Sequence, residues 1–207
     1  MTQTIKVYSD YKSPYAYLAK DLVYDLERDT GVVVDWLPYT LDIPSYLGSA
    51  TLDESGSVAT QSRNAHQWRR VKYSYMDCRR EANRRGLVIR GTQKIWDSSL
   101  AAIGMLYAKE HGVFRCYHDR VFDRFWKREL DIESIPVLAA LLSDCGMDAS
   151  DFAAYARGEG RALLAKVQAE AEAAGVFGVT SILLPGGDLY WGREHFPRLT
   201  EMLREAR

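Results

Sequence analysis

The sequence predicts an α/β fold in which a large all-helical insertion separates two parts of one sheet. Three observations predict it: a strand–helix–strand pattern opens the chain, about 110 residues of helical periodicity follow, and a strand–strand–helix pattern closes it. We therefore predict one domain formed by residues 1–60 and 175–207, with residues 61–174 as an inserted helical domain.

The opening pattern predicts two parallel strands joined by a helix. Residues 5–9 alternate apolar and polar side chains, and residues 32–37 are β-branched and aromatic, so both segments favour strands. Ser13 and Pro14 form the preferred N-cap and first-turn pair of a helix, which Gly31 would end. A connection of this length is typical of a right-handed crossover.

The rest of the chain divides at its glycines and prolines. Residues 38–62 are predicted to form a long connection of the kind that is usually functional or mobile. Helices are predicted at 63–85, 97–111, 115–128, 134–145, 148–157 and 159–174. The segments 181–184 and 189–191 flank a Pro-Gly-Gly-Asp turn and predict a hairpin, and an amphipathic helix follows from about residue 193.

Composition excludes several classes of protein. The chain of 207 residues is 47% hydrophobic and 27% charged with a net charge of −1, values typical of a folded protein without a global field for nucleic acid. It has no run of about 18 apolar residues and no signal-peptide pattern at its start, so we expect a cytoplasmic protein without a membrane partner. The three cysteines lack the spacing of a disulfide framework or a metal site, and we expect them to pack unpaired in a reducing cytosol (Cys78, Cys116, Cys145). The four histidines also lack the spacing of metal ligands (His66, His111, His118, His195).

Ser13 is the first candidate for chemistry. Backbone N–H groups and the helix dipole favour negative charge at a helix start. A hydrogen bond from the Ser13 hydroxyl to a bound thiolate would contribute roughly 1.5–3 kcal/mol, which lowers a thiol pKa by about one to two units. The alternative is that Ser13 is only an N-cap and holds no ligand.

Three segments of the chain resemble a known family. Residues 10–19, which contain Ser-Pro-Tyr, residues 175–179 with Gly-Val-Phe-Gly, and residues 190–194 are similar to the DsbA-like thioredoxin superfamily. Within it, the chain resembles 2-hydroxychromene-2-carboxylate isomerases and kappa-class glutathione transferases. The resemblance covers the whole chain, and it implies a thioredoxin-like fold.

The resemblance also implies glutathione as the cofactor and a homodimer as the assembly. It places Ser13 at the glutathione sulfur as the catalytic residue. The glutathione-binding residues that it implies are Ser13, Ser49, Val179, Thr180, Arg193 and Glu194.

Two of these positions depart from the family pattern. Thr180 stands where members carry a cis-proline, and because a cis bond before a residue other than proline costs about 3–4 kcal/mol, we expect a trans Val179–Thr180 bond. Glu194 stands where members carry an aspartate that contacts the γ-glutamyl amine. It either makes that contact or only favours the helix start electrostatically. Ser49 corresponds to a family asparagine, in a loop whose sequence aligns poorly with the family.

The segment 63–94 is strongly basic. Ten Lys and Arg residues face only Asp77 and Glu81, which gives a local net charge of +8. The segment is either a solvated helix face, the wall of a site for an anionic small molecule, or, with its interleaved aromatics, a surface for single-stranded nucleic acid. Among these we favour small molecules over nucleic acid. Candidate substrate-binding residues are Tyr15, Arg69, Arg70 and Lys72.

The resemblance therefore implies a glutathione-dependent isomerase or transferase, and the residue spacing predicts no metal site. Ser13 would stabilise the thiolate, which adds to a small, aromatic or conjugated electrophile. The first alternative is a non-catalytic protein that binds a ligand or a partner, motivated by Thr180 and Glu194. The second is a thiol-disulfide oxidoreductase, which we disfavour because no cysteine stands at positions 13–16, where the redox branch carries Cys-x-x-Cys.

Overall fold

A computed structural model describes residues 3–205 of the chain. The elements in chain order are β1 (Thr4–Ser9), α1 (Pro14–Thr30), β2 (Val33–Pro38), α2 (Ile43–Leu47), β3 (Ala50–Leu52), β4 (Val58–Gln61), α3 (Ala65–Arg84), α4 (Ser99–Glu110), α5 (Phe114–Trp126), α6 (Ile135–Asp144), α7 (Phe152–Arg157), α8 (Glu159–Ala173), β5 (Ser181–Leu183), β6 (Leu189–Trp191), a 3₁₀ turn (Arg193–His195) and α9 (Phe196–Glu205).

Four strands form one mixed sheet in the order β2-β1-β5-β6. β1 runs parallel to β2, with Val7 opposite Trp36, and antiparallel to β5, with Val7 opposite Ile182. β5 and β6 pair as an antiparallel hairpin. The sheet joins the two ends of the chain, and α3 to α8 lie between them in sequence, which confirms the predicted α/β fold with a helical insertion.

The first helix begins and ends where its sequence predicts. Ser13 has extended backbone angles, and its Oγ accepts the N–H of Ala16 at 3.2 Å. Gly31 ends the helix at φ 67°, a left-handed conformation that glycine adopts without steric cost, and its N–H donates to Glu27 at 2.8 Å. The cap therefore fixes the position of the Ser13 side chain relative to β1.

Two groups of buried side chains hold the layers together. The smaller one joins the sheet to α1 and α9 (Ile5, Val7, Val23, Ile182, Leu199). The larger one runs from Tyr8, Tyr11 and Leu18 into the helices α4 to α8. Because the larger core crosses the predicted boundary at residue 61, the helices pack directly on the α/β part. The division into two domains stays a prediction.

Residues 38–62 are more ordered than the predicted connection. They contain α2, whose N-cap Asp42 accepts the Ser45 N–H at 3.3 Å, and the β3–β4 hairpin. The N–H of Leu52 donates to Gln93 at 2.8 Å, which ties the hairpin to the segment after α3. The elements α2, β3 and β4 have only three to five residues each and show no periodicity, so the sequence pattern did not indicate them.

The expectation of three unpaired cysteines is wrong for two of them. Cys116 on α5 and Cys145 at the end of α6 form a disulfide, with their Cα atoms 5.7 Å apart. Their spacing of 29 residues gave no sign of this, because the fold alone brings α5 beside α6. Cys78 is free and buried, as expected. The predicted cytoplasmic location thus loses the support of the cysteine count.

The Val179–Thr180 peptide bond is cis, so the expected trans bond is wrong. Local energetics favour trans, but hydrogen bonds of the neighbouring residues hold the chain here. Thr180 is buried, its carbonyl accepts the N–H of Gly192 at 3.0 Å, and the Ser181 hydroxyl donates to Gly178 at 2.8 Å. The closing strands therefore determine the path of the chain here.

Among the helices of residues 3–205, none combines the length and apolar character that crossing a membrane requires. The same residues contain no group of three or more His, Cys, Asp or Glu side chains placed to hold a metal ion.

Candidate active site

A cavity of about 540 Å³ opens between the α/β part and the helices. Its floor is the first turn of α1, and its walls come from α2, α3, the segment 92–96, the loop before β5, and the end of β6. The residues that line it are Lys12, Ser13, Pro14, Tyr15, Leu41, Ile43, Tyr46, Leu47, Arg63, Arg70, Val71, Ser74, Tyr75, Thr92, Lys94, Ile95, Trp96, Phe177, Gly178, Val179 and Trp191. The fold therefore places Ser13 in a cleft.

A buried carboxylate holds the turn that carries Ser13. The Ser13 N–H donates to the Asp10 carbonyl at 3.0 Å, and the Lys12 N–H donates to Asp10 Oδ1 at 3.2 Å. The N–H of Leu41 donates to Asp10 Oδ2 at 2.8 Å, which joins the turn to the opposite wall of the cavity. Burial raises the pKa of Asp10, while Lys12 Nζ at 3.7 Å and the backbone donors oppose this shift. The Asp10 side chain thus fixes both sides of the cleft near Ser13.

The charged side chains that line the cavity all have the same sign. Four charged side chains line it, all of them positive, and no carboxylate is part of its lining (Lys12, Arg63, Arg70, Lys94). Lys12 is buried, and Arg63 is held by donating its Nε–H to the Leu47 carbonyl at 3.1 Å. Lys94 is paired with Glu133 outside the cavity. Because cationic walls of low dielectric attract anions, the cavity suits a negatively charged ligand.

Tyr15 and Arg193 both donate a hydrogen bond to the Asp77 carboxylate. The Tyr15 hydroxyl donates to Asp77 Oδ2 at 3.3 Å, and Arg193 Nη2 donates to the same oxygen at 3.2 Å. The Arg193 guanidinium lies 5.7 Å from the centroid of the Tyr15 ring. Burial and the nearby Asp77 raise the pKa of Tyr15, so its hydroxyl stays protonated at neutral pH. In the sequence, Asp77 is only an acidic residue within the basic segment, because its partners are 62 and 116 residues away.

An aromatic pair forms the rim of the cavity. Phe177 is 64% exposed and Trp191 is 48% exposed, and their ring centroids lie 5.1 Å apart. A Cβ at position 178 would lie 2.7 Å from Trp191 Nε1, so the indole requires glycine there. Both aromatics lie in the segments that carry the family resemblance, but no pattern in the sequence indicates a role for them. Their exposure and apolar character suit contact with a flat ligand.

Not every candidate reaches this cavity. Val179 lines it, whereas the buried Thr180 does not. Ser49 is bonded at the base of the hairpin, with its Oγ 3.1 Å from Ser62 Oγ. The exposed Glu194 has its carboxylate beside Gly192 and is not part of the lining.

The basic candidates on α3 face different directions. Arg70 lines the Ser13 cavity, whereas Lys72 lines a second cavity on the other side of Val71 and Tyr75. Arg69 is exposed and lines neither of these two. The helix thus presents cations to two separate spaces.

Cys78 lies beneath Tyr15 and is not accessible. Burial raises the pKa of its thiol to about 12, although the Tyr15 hydroxyl acts in the opposite direction. Its side chain has no exposed surface. A reactive cysteine requires access and a lowered pKa, and Cys78 has neither.

Residues 4–204 match the family model of the DSBA-like thioredoxin domain. The chain belongs to this family. It is 27% identical over 206 residues to 2-hydroxychromene-2-carboxylate isomerase from Sphingobium xenophagum, a match that covers 98% of this chain and 99% of the relative. This membership confirms the resemblance and the thioredoxin-like fold expected from the sequence.

Solved structures share the fold. A 2-hydroxychromene-2-carboxylate isomerase superimposes with a TM-score of 0.74 at 22% identity, covering 98% of this chain and 95% of that one. The cytosolic disulfide reductase DsbM from Pseudomonas aeruginosa, solved with GSH, superimposes with a TM-score of 0.65 at 16% identity, covering 98% of each chain. At these identities the similarities concern the architecture alone.

Proposed function

We propose that this protein is a glutathione-dependent enzyme, an isomerase or transferase that acts on a small aromatic or conjugated electrophile. One observation carries the proposal: the Ser13 hydroxyl lies at the start of α1, in a cavity whose charged lining is entirely positive. Glutathione is itself an anion, and its thiolate is the form that reacts.

Ser13 has a proton to donate to a bound sulfur. Its Oγ is the acceptor in the bond from Ala16 N–H, so that bond does not use the hydroxyl proton. Glutathione, when bound, supplies a thiol nucleophile that adds to an electrophilic carbon. Ser13 would donate its proton to the sulfur as a hydrogen bond, and the α1 dipole would add to this stabilisation. The thiol pKa falls as a result.

Other residues of the cavity would bind the rest of the reactants. The backbone beside Val179 would pair with the cysteinyl part of glutathione, while Lys12 and Arg70 would hold carboxylates. Phe177 and Trp191 would cover the apolar face of the electrophile. The relative from Sphingobium xenophagum, which is similar along its whole length, favours isomerisation, in which glutathione leaves unchanged, over transfer.

Thiol-disulfide exchange finds little support in the cysteines. Positions 13–16 are Ser-Pro-Tyr-Ala, the Cys78 thiol is buried with a raised pKa, and the other two cysteines are paired with each other. An exchange cycle requires an exposed low-pKa thiolate and a resolving partner.

A non-catalytic binding protein is the remaining alternative. The observation that favours it is Glu194, which is exposed and outside the cavity lining, so it does not reach a ligand beside Ser13 in this conformation. The homodimer, which the family resemblance implies, and the cytoplasmic location belong to the main proposal. Light scattering would measure the assembly.

Ser13→Ala tests the main proposal. We expect the pKa of the bound glutathione thiol, measured from thiolate absorbance in the ultraviolet, to rise by about one to two units, because one charged hydrogen bond of roughly 1.5–3 kcal/mol is lost. Ser13→Thr keeps a hydroxyl and is the matched control, so its thiol pKa should stay close to that of the parent.

Calorimetry with glutathione separates the alternatives. Binding in the micromolar range with an unchanged thiol pKa in Ser13→Ala would contradict the role of Ser13. No binding, or binding only at millimolar glutathione, would favour the non-catalytic alternative.

A further inference from the structure

A second cavity, of about 630 Å³, lies on the other side of the ridge that Val71 and Tyr75 form on α3. The hydrogen bond between Tyr75 Oη and Thr92 Oγ1, at 3.1 Å, forms part of the wall between the two cavities. The far side is enclosed by the β3–β4 hairpin and the segment 91–95. The proposed function makes no use of this space.

The charged side chains around this cavity are all positive (Arg63, Lys72, Arg79, Arg80, Lys94), and no carboxylate lines it. Within residues 3–205, neither Lys72 nor Arg79 has a carboxylate within 4.0 Å, and Arg80 reaches only Asp77, at 4.0 Å. The Arg79 Nε–H donates to the Ile89 carbonyl at 3.1 Å, which holds the guanidinium at the cavity edge. Lys72 and Arg79 are therefore available to an anion.

The remaining wall is apolar and aromatic. Met76 is 52% exposed although the surrounding helix face is basic. Trp68 is held by donating its Nε1–H to Gln61 at 2.6 Å, and the Arg63 guanidinium lies 5.0 Å from its ring. An exposed methionine beside a fixed indole favours a flat apolar ligand.

We propose that this cavity is a second ligand site, specific for an amphipathic organic anion with a flat aromatic body and one carboxylate or sulfonate. The Val71, Tyr75, Met76 and Trp68 side chains contact the body, and Lys72 and Arg79 pair with the acidic group. A compact inorganic anion would leave the apolar wall exposed to water and so lose most of the contact area. The site shares the wall between the two cavities with the Ser13 cavity, whereas Lys72, Met76 and Arg79 line only the second one.

Two dyes test this proposal on the full-length protein. Anilinonaphthalene sulfonate has an aromatic body and a sulfonate, and phenylnaphthylamine has nearly the same body without charge. We expect the sulfonate to bind at least about tenfold more tightly, because only it pairs with the cations. Equal affinity for the two dyes would contradict the proposal.

Variants on a single helix then locate the bound dye. Lys72→Glu and Met76→Glu should each raise the Kd of the sulfonate dye by about fivefold, since each places a negative charge in the second cavity. Arg70→Glu, which changes only the Ser13 cavity, should shift the Kd less than about twofold. Lys166→Glu is an exposed control on α8 with the same change in net charge as Lys72→Glu, and it should also shift the Kd less than about twofold. Melting curves would verify that all variants fold.

Three results would overturn the proposal. The first is loss of dye binding in Arg70→Glu with no effect of Lys72→Glu, since the dye would then occupy the Ser13 cavity. The second is equal Kd values in all variants. The third is tight binding of a short single-stranded oligonucleotide that Lys72→Glu abolishes, with no dye binding. Glutathione turnover is measured in parallel, so failure here does not bear on the role of Ser13.

Discussion

At Gly104, helix α4 passes so close to α5 that a side chain has no space. A Cβ at this position would lie 2.0 Å from the Tyr117 hydroxyl oxygen, which donates to the Ala101 carbonyl at 3.0 Å. Tyr117 is fully buried, so its ring cannot move aside without disturbing the core. This one contact sets the distance between two helices of the insertion.

We expect Gly104→Ala to lower the free energy of unfolding by about 1–3 kcal/mol, because overpacking outweighs the better helix propensity of alanine. Urea denaturation measures it. Gly186→Ala is the control, since a Cβ there meets nothing within 4 Å. A Gly104→Ala variant as stable as the parent would show that the two helices separate easily.

Single residues also show what the sequence could and could not predict about the site. Ser13 was predicted correctly as a helix cap, because a cap depends on its immediate neighbours. The position of Asp77 between Tyr15 and Arg193 depends on the approach of three distant segments, so no local pattern indicates it. The Val179–Thr180 bond was predicted as trans for the same reason: local cost was considered without the surrounding strands.

At the scale of elements, hydrogen bonds from charged side chains connect the C-terminal end of α3 to α1. Glu81 accepts hydrogen bonds from Arg84 and Arg85, and Arg85 also donates to the Leu18 carbonyl of α1 at 2.7 Å. These arginines lower the pKa of Glu81 to about 2 from its usual 4.5. The ionised form is therefore favoured in the folded state.

This shift predicts a pH dependence of stability. The contribution of Glu81 is fully present above about pH 4.5, its value when unfolded, and is lost as pH falls toward about 2. Glu81→Gln should thus be less stable than the parent at pH 6, with a difference that shrinks across this acidic range, as measured by urea denaturation at several pH values. Glu54→Gln in the exposed β3–β4 turn is the control. A constant difference at all pH values would contradict the assignment.

The long elements and the β5–β6 hairpin were predicted well, whereas the short elements of residues 38–62 were not. The helices α1, α3 and α4 begin within two residues of their predicted starts, because each combines apolar periodicity with a clear boundary. The short elements α2, β3 and β4 were missed, since their stability comes from contacts with α3 and the segment 91–95. The second cavity could not be predicted from the sequence for the same reason, because the hairpin forms one of its walls.

At the scale of the whole molecule, the disulfide adds a covalent link between α5 and α6. Closing a loop of 29 residues restricts the unfolded chain and contributes roughly 3–4 kcal/mol in a chain-entropy description. We expect reduction by a phosphine to lower the free energy of unfolding by about this amount. Cys116→Ser should have the same effect without reductant, and Cys78→Ser should remain sensitive to reduction.

Thiol titration of the unreduced, denatured protein provides a direct check. It should find one free thiol among the three cysteines, because two are paired. Three free thiols would show that the pair is reduced in solution and that the link does not stabilise the fold.

The order of the long elements, the parallel β1–β2 pair, the β5–β6 hairpin and the family were accessible from the sequence, because they depend on patterns that extend over tens of residues. The composition of the cleft was not, since it brings together α1, α2, α3, β6 and five connecting segments. Only Ser13, Tyr15, Val179 and Arg70 were predicted among its lining residues. The candidates Ser49, Arg69 and Glu194 lie elsewhere, which a linear alignment of motifs could not reveal.

The most direct test of the central proposal is the crystal structure of this protein with glutathione. The account predicts the glutathione sulfur within about 3.5 Å of Ser13 Oγ, at the start of α1 and inside the cavity of about 540 Å³. A sulfur located in the second cavity, or glutathione bound with the Ser13 hydroxyl out of its reach, would contradict it.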